Sequence, residues 1–166
     1  MAKKPAPLPK RLARLADRLS HSTAVAVLRP RDARRSLAEV CWEVLEAFPG
    51  AAPAVHGPGE LADVLAHRPS FGTAEAAGWI AGALCVDLVH PPGGDPAAGA
   101  DAAAVEREVL AALGPGARWL ANSGHPLPGR AAGGRGWSPV TTATFDLLVA
   151  ARGADLDLVV LRAQED

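Results

Sequence analysis

Asp87 and His90 lie three residues apart in an apolar stretch, and their types and spacing could support catalysis or metal binding. The stretch from Thr73 to about His90 predicts a helix, on which each residue is rotated by about 100° from the last. This rotation places Asp87 near the centre of the apolar face, within reach of His90. Such a pair could supply two ligands to a metal ion, or a histidine base that a carboxylate orients. His125, in a later loop, is a third residue that could join this site.

A structural role for Asp87 is the favoured interpretation, because a carboxylate on an apolar face needs a partner. An acid near the end of a helix that pairs with an arginine has a perturbed pKa without any catalysis. An arginine of the basic N-terminal region is the candidate partner. A second alternative is a strand over residues 83–90, which would place Asp87 on the same side as Cys85 and Val89.

Residues 114–140 form the second candidate region, with seven glycines and four prolines in 27 positions and no sustained hydrophobic period. A connection of this length without its own structure is usually functional or disordered. Arg130 and Arg135 lie among glycines, where guanidinium groups and backbone N–H groups could hold a phosphate or carboxylate. Trp137 could stack on a base or bury a partner contact. A flexible, solvated loop is the favoured alternative for this composition.

A basic helix over about residues 8–20 is the third candidate. Residues 1–35 hold ten basic and two acidic residues, a net of +8, whereas residues 36–166 hold seven basic and sixteen acidic residues, a net of −9. The helix has a leucine stripe and a basic surface, formed by Leu8, Leu12, Leu15 and Leu19 and by Lys10, Arg11, Arg14 and Arg18. With the leucines packed on the domain, the basic residues point outward and could bind an acidic protein surface or nucleic acid. Alternatively the helix lies on the acidic part of its own domain, or on a membrane surface.

The elements that must position these residues follow from hydrophobic periodicity. The patterns predict a strand over 23–28, a helix over about 32–48 capped by Asp32, helices over 60–67 and 101–113, and a terminal hairpin of 141–151 and 156–162. Because two strands alone are marginal, the strand at 23–28 is expected to join the hairpin. Asp146 and Asp157 alternate with apolar residues and are assigned to the solvent face of the hairpin. We therefore predict one α+β domain over residues 1–166, with four or five helices on a small sheet that includes a C-terminal β-hairpin.

The composition and motifs of the chain argue against several kinds of site and of cellular location. Cys41 and Cys85 form no CxxC pair, so neither a disulfide framework nor a cysteine zinc site is expected. The N-terminus lacks the apolar region of a secretory signal, and the apolar run over 76–89 is too short to span a bilayer. A cytoplasmic location is expected, and the bias towards Arg, Ala, Gly and Pro suggests a bacterial, GC-rich genome. No cofactor or metal is predicted, since no Walker A, HExxH or EF-hand motif occurs.

Two functional hypotheses follow. The first is a small interaction or regulatory protein that binds a protein partner through the basic helix and the segment carrying Arg130, Arg135 and Trp137. Non-specific nucleic acid is the second partner class considered. The alternative hypothesis is a small enzyme or metal-dependent binder centred on Asp87 and His90. The first is preferred because catalytic sites gather several titratable groups, and the sequence shows no dense polar constellation.

Overall fold

An antiparallel sheet of five strands organises the part of the chain that the computed structural model describes, which is residues 6–18, 23–85, 87–89, 96–124 and 136–165. The strands are β1 (Thr23–Pro30), β2 (Phe71–Gly72), β3 (Arg118–Ala121), β4 (Phe145–Arg152) and β5 (Leu156–Gln164). The helices are α1 (Leu8–Asp17), α2 (Leu37–Glu46), α3 (Pro58–Ala66), α4 (Trp79–Cys85) and α5 (Pro96–Leu113), with a 3₁₀ turn at Thr73–Glu75. The predicted α+β class is confirmed. In these residues no helix is long and apolar enough to cross a membrane.

The C-terminal hairpin forms the middle of the sheet. The strand order is β1-β5-β4-β3-β2, and β4 pairs with β5 from Phe145 opposite Gln164 to Arg152 opposite Asp157. Strand β1 pairs with β5 along its whole length, which confirms the prediction that the early strand joins the hairpin. Almost every residue of β4 and β5 is buried. Strands covered on both faces have continuous apolar runs instead of the alternation of a half-exposed sheet.

Helices cover both faces of the sheet and make two separate cores. Helices α1, α4 and α5 pack on one face, against residues such as Leu158 and Val160 of β5. Helices α2 and α3 pack on the other face, against Val159 and Leu161. Because side chains of a strand alternate between faces, β5 contributes to both cores at once.

Helix α2 begins later than predicted. Ser36, not Asp32, caps it, because the Ser36 hydroxyl accepts from Glu39 N (3.2 Å) while the Glu39 carboxylate accepts from Ser36 N (2.6 Å). This is a capping box, which satisfies two backbone donors reciprocally. Asp32 instead accepts from Arg34 N (2.9 Å) in the preceding turn.

Two predicted segments have a different structure. The single helix predicted from Thr73 to His90 is wrong: α4 begins only at Trp79, after Gly78 takes a φ of 89°, and it ends at Cys85. A positive φ is accessible to glycine and breaks the helical path. The segment 114–140 is not loop throughout, because strand β3 lies within it and pairs with β4.

Glu43 ties α2 to β1 and gives a prediction for acid stability. Its carboxylate accepts from Arg29 (3.1 and 3.2 Å) and also pairs with Arg35. The hydrogen bonds from Arg29 and then Arg35 lower the pKa of Glu43 from 4.5 to about 2. A carboxylate with a lowered pKa stabilises the fold above its unfolded pKa, and this contribution is lost as the pH falls from 4.5 towards about 2.

We therefore expect Glu43→Gln to lower the free energy of unfolding at neutral pH, and the difference from wild type to shrink as the pH approaches about 2. Urea denaturation at several pH values measures this. Glu46→Gln is the matched control, since Glu46 is an exposed acid of α2 without an ion pair to the described residues. A difference that does not change with pH would contradict the assignment.

Candidate functional site

The predicted site residues fall into two groups. Asp87, Trp137 and the four basic residues of α1 have described positions, whereas His90, His125, Arg130 and Arg135 lie outside the described residues. The predictions for these last four therefore stay predictions.

The basic helix packs as predicted through its leucine stripe, with Leu12 and Leu15 buried in the core. Its charged surface is only partly directed to solvent. Arg11 donates to the Glu108 carboxylate (2.7 and 2.8 Å), and Arg18 donates to Asp101 (3.1 Å). Both acids belong to α5, so for these two arginines the alternative of a helix lying on an acidic part of its own domain is supported. The prediction that Arg11 belongs to a partner-binding surface stays a prediction.

A recess of about 170 Å³ lies between α1 and α5. It is lined by Arg11, Arg14, Leu15, Arg18, Asp101, Ala104 and Val105. Arg14 lies between the two paired arginines along α1 and is exposed, as is Lys10. Neither Arg14 nor Lys10 forms an ion pair with the described residues. These two cations are therefore not neutralised by an acid of the described residues. They lie beside Arg11 and Arg18, which pair with acids of α5.

Asp87 lies beyond the end of α4 and is not on a helix, contrary to the prediction. Its carboxylate oxygen Oδ1 accepts from Gln164 Nε2 (2.6 Å) and from Val89 N (2.9 Å). The side chain is half-buried. Gln164 is the last residue of β5, so Asp87 ties the segment after α4 to the centre of the sheet.

Arg162 is the arginine close to Asp87, and it comes from β5 instead of the basic N-terminal region. It is only 3% exposed and donates to Ala83 O (2.9 Å) and to Gln164 Oε1 (3.2 Å). Burial lowers the pKa of Arg162 to about 10, while the charges of Asp87 and Cys85 act in the opposite direction. The favoured structural role of Asp87, near an arginine, is consistent with this arrangement.

Asp146 is one of two polar residues that the sequence prediction places wrongly. The prediction assigns it to the solvent face, yet its exposed fraction is 0%. Its oxygen Oδ2 accepts from Thr141 N (2.6 Å), Thr141 Oγ1 (2.8 Å) and Val140 N (2.9 Å). Oxygen Oδ1 accepts from Asn122 Nδ2 (2.6 Å) and Trp137 Nε1 (3.0 Å). Burial raises the pKa of Asp146, and the hydrogen bonds from Thr141, Val140 and Trp137 oppose that rise.

Asp157 was also assigned to the solvent face, and it too is buried. Arg152 donates to both of its carboxylate oxygens (2.7 and 2.8 Å) and also to Arg35 O (2.7 Å). The side chain of Asp157 therefore belongs to a structural ion pair under the turn of the hairpin. The alternation of polar and apolar residues does not predict the burial of these two acids, because helices cover both faces of the strands.

Trp137 is half-buried, and its indole N–H is already used. Nε1 donates to Asp146 O (2.8 Å) as well as to the Asp146 carboxylate, and the ring stacks on Phe145 with centroids 6.4 Å apart. Phe145 lies opposite Gln164 in the sheet, and Gln164 holds Asp87. The structure thus brings Trp137 and Asp87 to the same end of the sheet. Stacking of Trp137 on a base stays a prediction.

Glu106 is a third buried acid whose position the sequence analysis did not predict. From α5 it accepts from Gly78 N (2.7 Å), Ile80 N (2.8 Å) and Ala81 N (2.8 Å), all at the beginning of α4. The first N–H groups of a helix have no partner within it, and an acid there also interacts favourably with the helix dipole. Only its position among the apolar residues of α5 could have indicated a buried role.

No group of three or more His, Cys, Asp or Glu side chains suited to a metal ion is found in the part of the chain that the structure describes. Neither Cys41 nor Cys85 is in a disulfide bond, and burial raises the pKa of Cys41 to about 12. Comparisons with protein-family models, with curated proteins and with solved structures find no match for this chain.

Replacing Asp146 tests whether its carboxylate holds the end of the sheet together. Asp146→Asn keeps the shape but places an amide N–H₂ among donors, which leaves buried groups unsatisfied. We expect a loss of about 2–4 kcal/mol in the free energy of unfolding. Asp63→Asn, at an exposed position of α3, is the control. Equal urea midpoints for wild type and Asp146→Asn would contradict this role.

The structural role of Asp87 is tested by its coupling to Gln164. We expect Asp87→Asn and Gln164→Ala each to lower stability, with a coupling energy of about 1 kcal/mol in a double-mutant cycle, because the two side chains share a hydrogen bond. Chemical denaturation of the four variants measures it. Additive effects, together with stoichiometric metal lost on mutation of Asp87 or His90, would instead favour a metal site.

Proposed function

We propose that this protein is a binding module whose α1–α5 surface holds a partner carrying closely spaced negative charges. The single observation that carries the proposal is the recess between α1 and α5, which is lined by Arg11, Arg14 and Arg18. Guanidinium groups are planar multiple donors that match carboxylate and phosphate oxygens. A regulatory or adaptor role is the class of function that such a surface fits.

The two ion pairs that join α1 to α5 also restrict two arginines of the recess. Glu108 and Asp101 fix Arg11 and Arg18 in position, so less side-chain entropy is lost when an anion binds. Arg14 stands between them and contributes the uncompensated charge, with Lys10 one turn away. The acids also reduce the net positive charge of the recess. We therefore expect few charged contacts with the partner, and an affinity that falls as the salt concentration rises.

The segment with Arg130, Arg135 and Trp137 is the second contact that we propose for the partner. Its arginines lie outside the described residues, so this contact rests on their position among glycines in the sequence. The enzymatic alternative around Asp87, His90 and His125 is less well supported, because Asp87 already accepts two hydrogen bonds from the protein itself.

Binding of a fluorescein-labelled DNA duplex and of a labelled polyglutamate peptide, followed by anisotropy over a range of salt concentrations, tests the proposal. For the duplex we expect an affinity that falls linearly with the logarithm of salt concentration. Lys10→Ala with Arg14→Ala should reduce that slope by about two, since each cation neutralises one phosphate.

Arg34→Ala is the matched control, because Arg34 is an exposed arginine that does not line the recess and forms no side-chain ion pair with the described residues. Binding of the peptide alone would assign the surface to an acidic protein partner. If neither probe binds at low salt, or if the Arg34 variant weakens binding as much as the double variant, the proposed function is wrong.

A further inference from the structure

The recess between α1 and α5 lies between the two ion pairs that join these helices. Arg11 pairs with Glu108 and Arg18 pairs with Asp101, so the earlier residue of α1 binds the later residue of α5. The two helices therefore run antiparallel, and the recess is placed between the pairs along both of them. An arginine thus lines each end of the recess.

The floor of the recess is apolar and its rim is charged. Leu15 and Val105 line it, are only 7% and 4% exposed, and belong to the core on this face of the sheet. Ala104 lies beside them on α5 and is half-buried, with a methyl group that fills little space. Arg14 and Arg18 line the same recess and are exposed. A ligand that fills the recess must therefore place apolar atoms at the floor and negative charge at the rim.

The volume of the recess limits what can enter it. A volume of about 170 Å³ is smaller than the range of about 300–1,000 Å³ that is typical of small-molecule sites. A cavity of about 150 Å³ is sufficient for a group of the size of benzene. The recess is therefore suited to one apolar side chain of up to phenyl size.

The cations of α1 extend beyond the recess. Lys10 does not line it, yet Lys10 is one turn of α1 from Arg14, a separation of about 6 Å along the helix. A ligand that pairs with both cations must therefore be longer than the recess. Residues two positions apart in an extended peptide are separated by about 7 Å and can carry carboxylates at this spacing.

We propose that the partner of this surface is an acidic peptide segment that inserts one large apolar side chain between α1 and α5. Neighbouring carboxylates of the segment pair with Arg14 and Lys10. Burial of the side chain contributes affinity through the hydrophobic effect, and the carboxylates contribute attraction that salt screens. The assignment of a protein partner rests on the proposed function of this surface, and it selects an acidic protein over a nucleic acid.

A single-stranded nucleic acid also combines aromatic rings with negative charges, but it fits the recess less well. A nucleobase has donors and acceptors along its edges, and the side chains of Leu15, Ala104 and Val105 offer them no hydrogen bond. Burial of unmatched polar edges costs free energy, which a phenyl ring does not incur. A duplex keeps its bases stacked inside and offers only phosphates and sugars to a helix surface. The apolar floor therefore favours the peptide.

Two fluorescein-labelled, glutamate-rich peptides of equal length and charge test the inference. They differ only at the central residue, which is phenylalanine in one and glycine in the other. Phenylalanine is chosen because a guanidinium group stacks on an aromatic ring. By anisotropy we expect the phenylalanine peptide to bind at least about tenfold more tightly. Both affinities should fall as the salt concentration rises, whereas their ratio should persist, because salt does not screen burial of the ring.

Two variants of α5 locate the inserted side chain. Ala104→Leu places a larger side chain in the recess, so the ratio of the two peptide affinities should fall to about one. Ala111→Leu is the matched control, because Ala111 is exposed, lies two turns further along α5 and does not line the recess. The control should keep the ratio of the unmodified chain. The comparison of the two peptides on the unmodified chain needs no variant, so it is decisive even if Ala104→Leu does not fold.

Equal affinities of the unmodified chain for the two peptides would overturn the inference. A ratio that a folded Ala104→Leu variant leaves unchanged would overturn it as well, because the ring would then bind elsewhere. Binding of the duplex or of labelled oligothymidylate without binding of either peptide would also overturn it, and would leave the proposed function in place. If none of these probes binds at low salt, the proposed function itself is wrong.

Discussion

Helices cover both faces of the β4–β5 hairpin, and every polar side chain on the hairpin must therefore find its partner inside the protein. Burial of an unpaired donor or acceptor costs about 1–3 kcal/mol, and an unpaired charge costs more. The hairpin carries Asp146, Asp157, Arg162 and Gln164, all of them buried. Asp146, Arg162 and Gln164 each bind a segment that arrives from elsewhere in the chain, and Asp157 holds Arg152, which binds the backbone before α2. The central strands thus determine where the surrounding loops must lie.

The resulting contacts are distributed at the two ends of the hairpin. At one end the Asp146 carboxylate holds the segment before β4 and the amide of Asn122, after β3, while Gln164 holds Asp87 and Leu88 N. At the other end Arg152 and Asp157 hold the backbone of Arg35, before α2. Buried networks of this kind favour a single arrangement of the chain. A network with unsatisfied donors or acceptors is less stable than an apolar core, so other arrangements are disfavoured. These clusters of buried polar residues therefore have a structural role, since they hold the loops to the central hairpin.

The charge asymmetry of the chain is largely resolved within the fold. Arg11 and Arg18 of the basic helix pair with acids of α5, and Arg29 pairs with Glu43 of α2. Exposed pairs of this type contribute little to stability, typically below about 1 kcal/mol. The pairs of Arg11 and Arg18 join α1 to α5, and among the described residues they leave Lys10 and Arg14 as the cations of α1 without an ion pair. Those charges form the basis of the proposed binding surface.

The sequence by itself determined the α+β class, the hairpin, the strand that joins it and the leucine stripe of α1. These elements have strong hydrophobic periods or β-branched runs, whose signal is local and survives without tertiary context. The core stripe of α2 was likewise evident, although Ser36, not Asp32, caps the helix. Ser36 is followed three residues later by Glu39, which is the spacing of a capping box, whereas Asp32 has Arg35 at that distance, so the sequence did contain the signal that distinguishes them.

Tertiary structure alone decided the roles of the buried polar residues. Asp146 has apolar neighbours on both sides, as a solvent-facing strand residue does, although the continuous apolar run from Leu147 to Ala151 is typical of a strand covered on both faces. Asp87 lies outside a helix because α4, which begins at Trp79, already ends at Cys85. Its partners, Gln164 and the nearby Arg162, lie more than 70 residues away. Contacts of such sequence separation leave no local pattern, because they depend on how the layers pack and not on which element each residue forms.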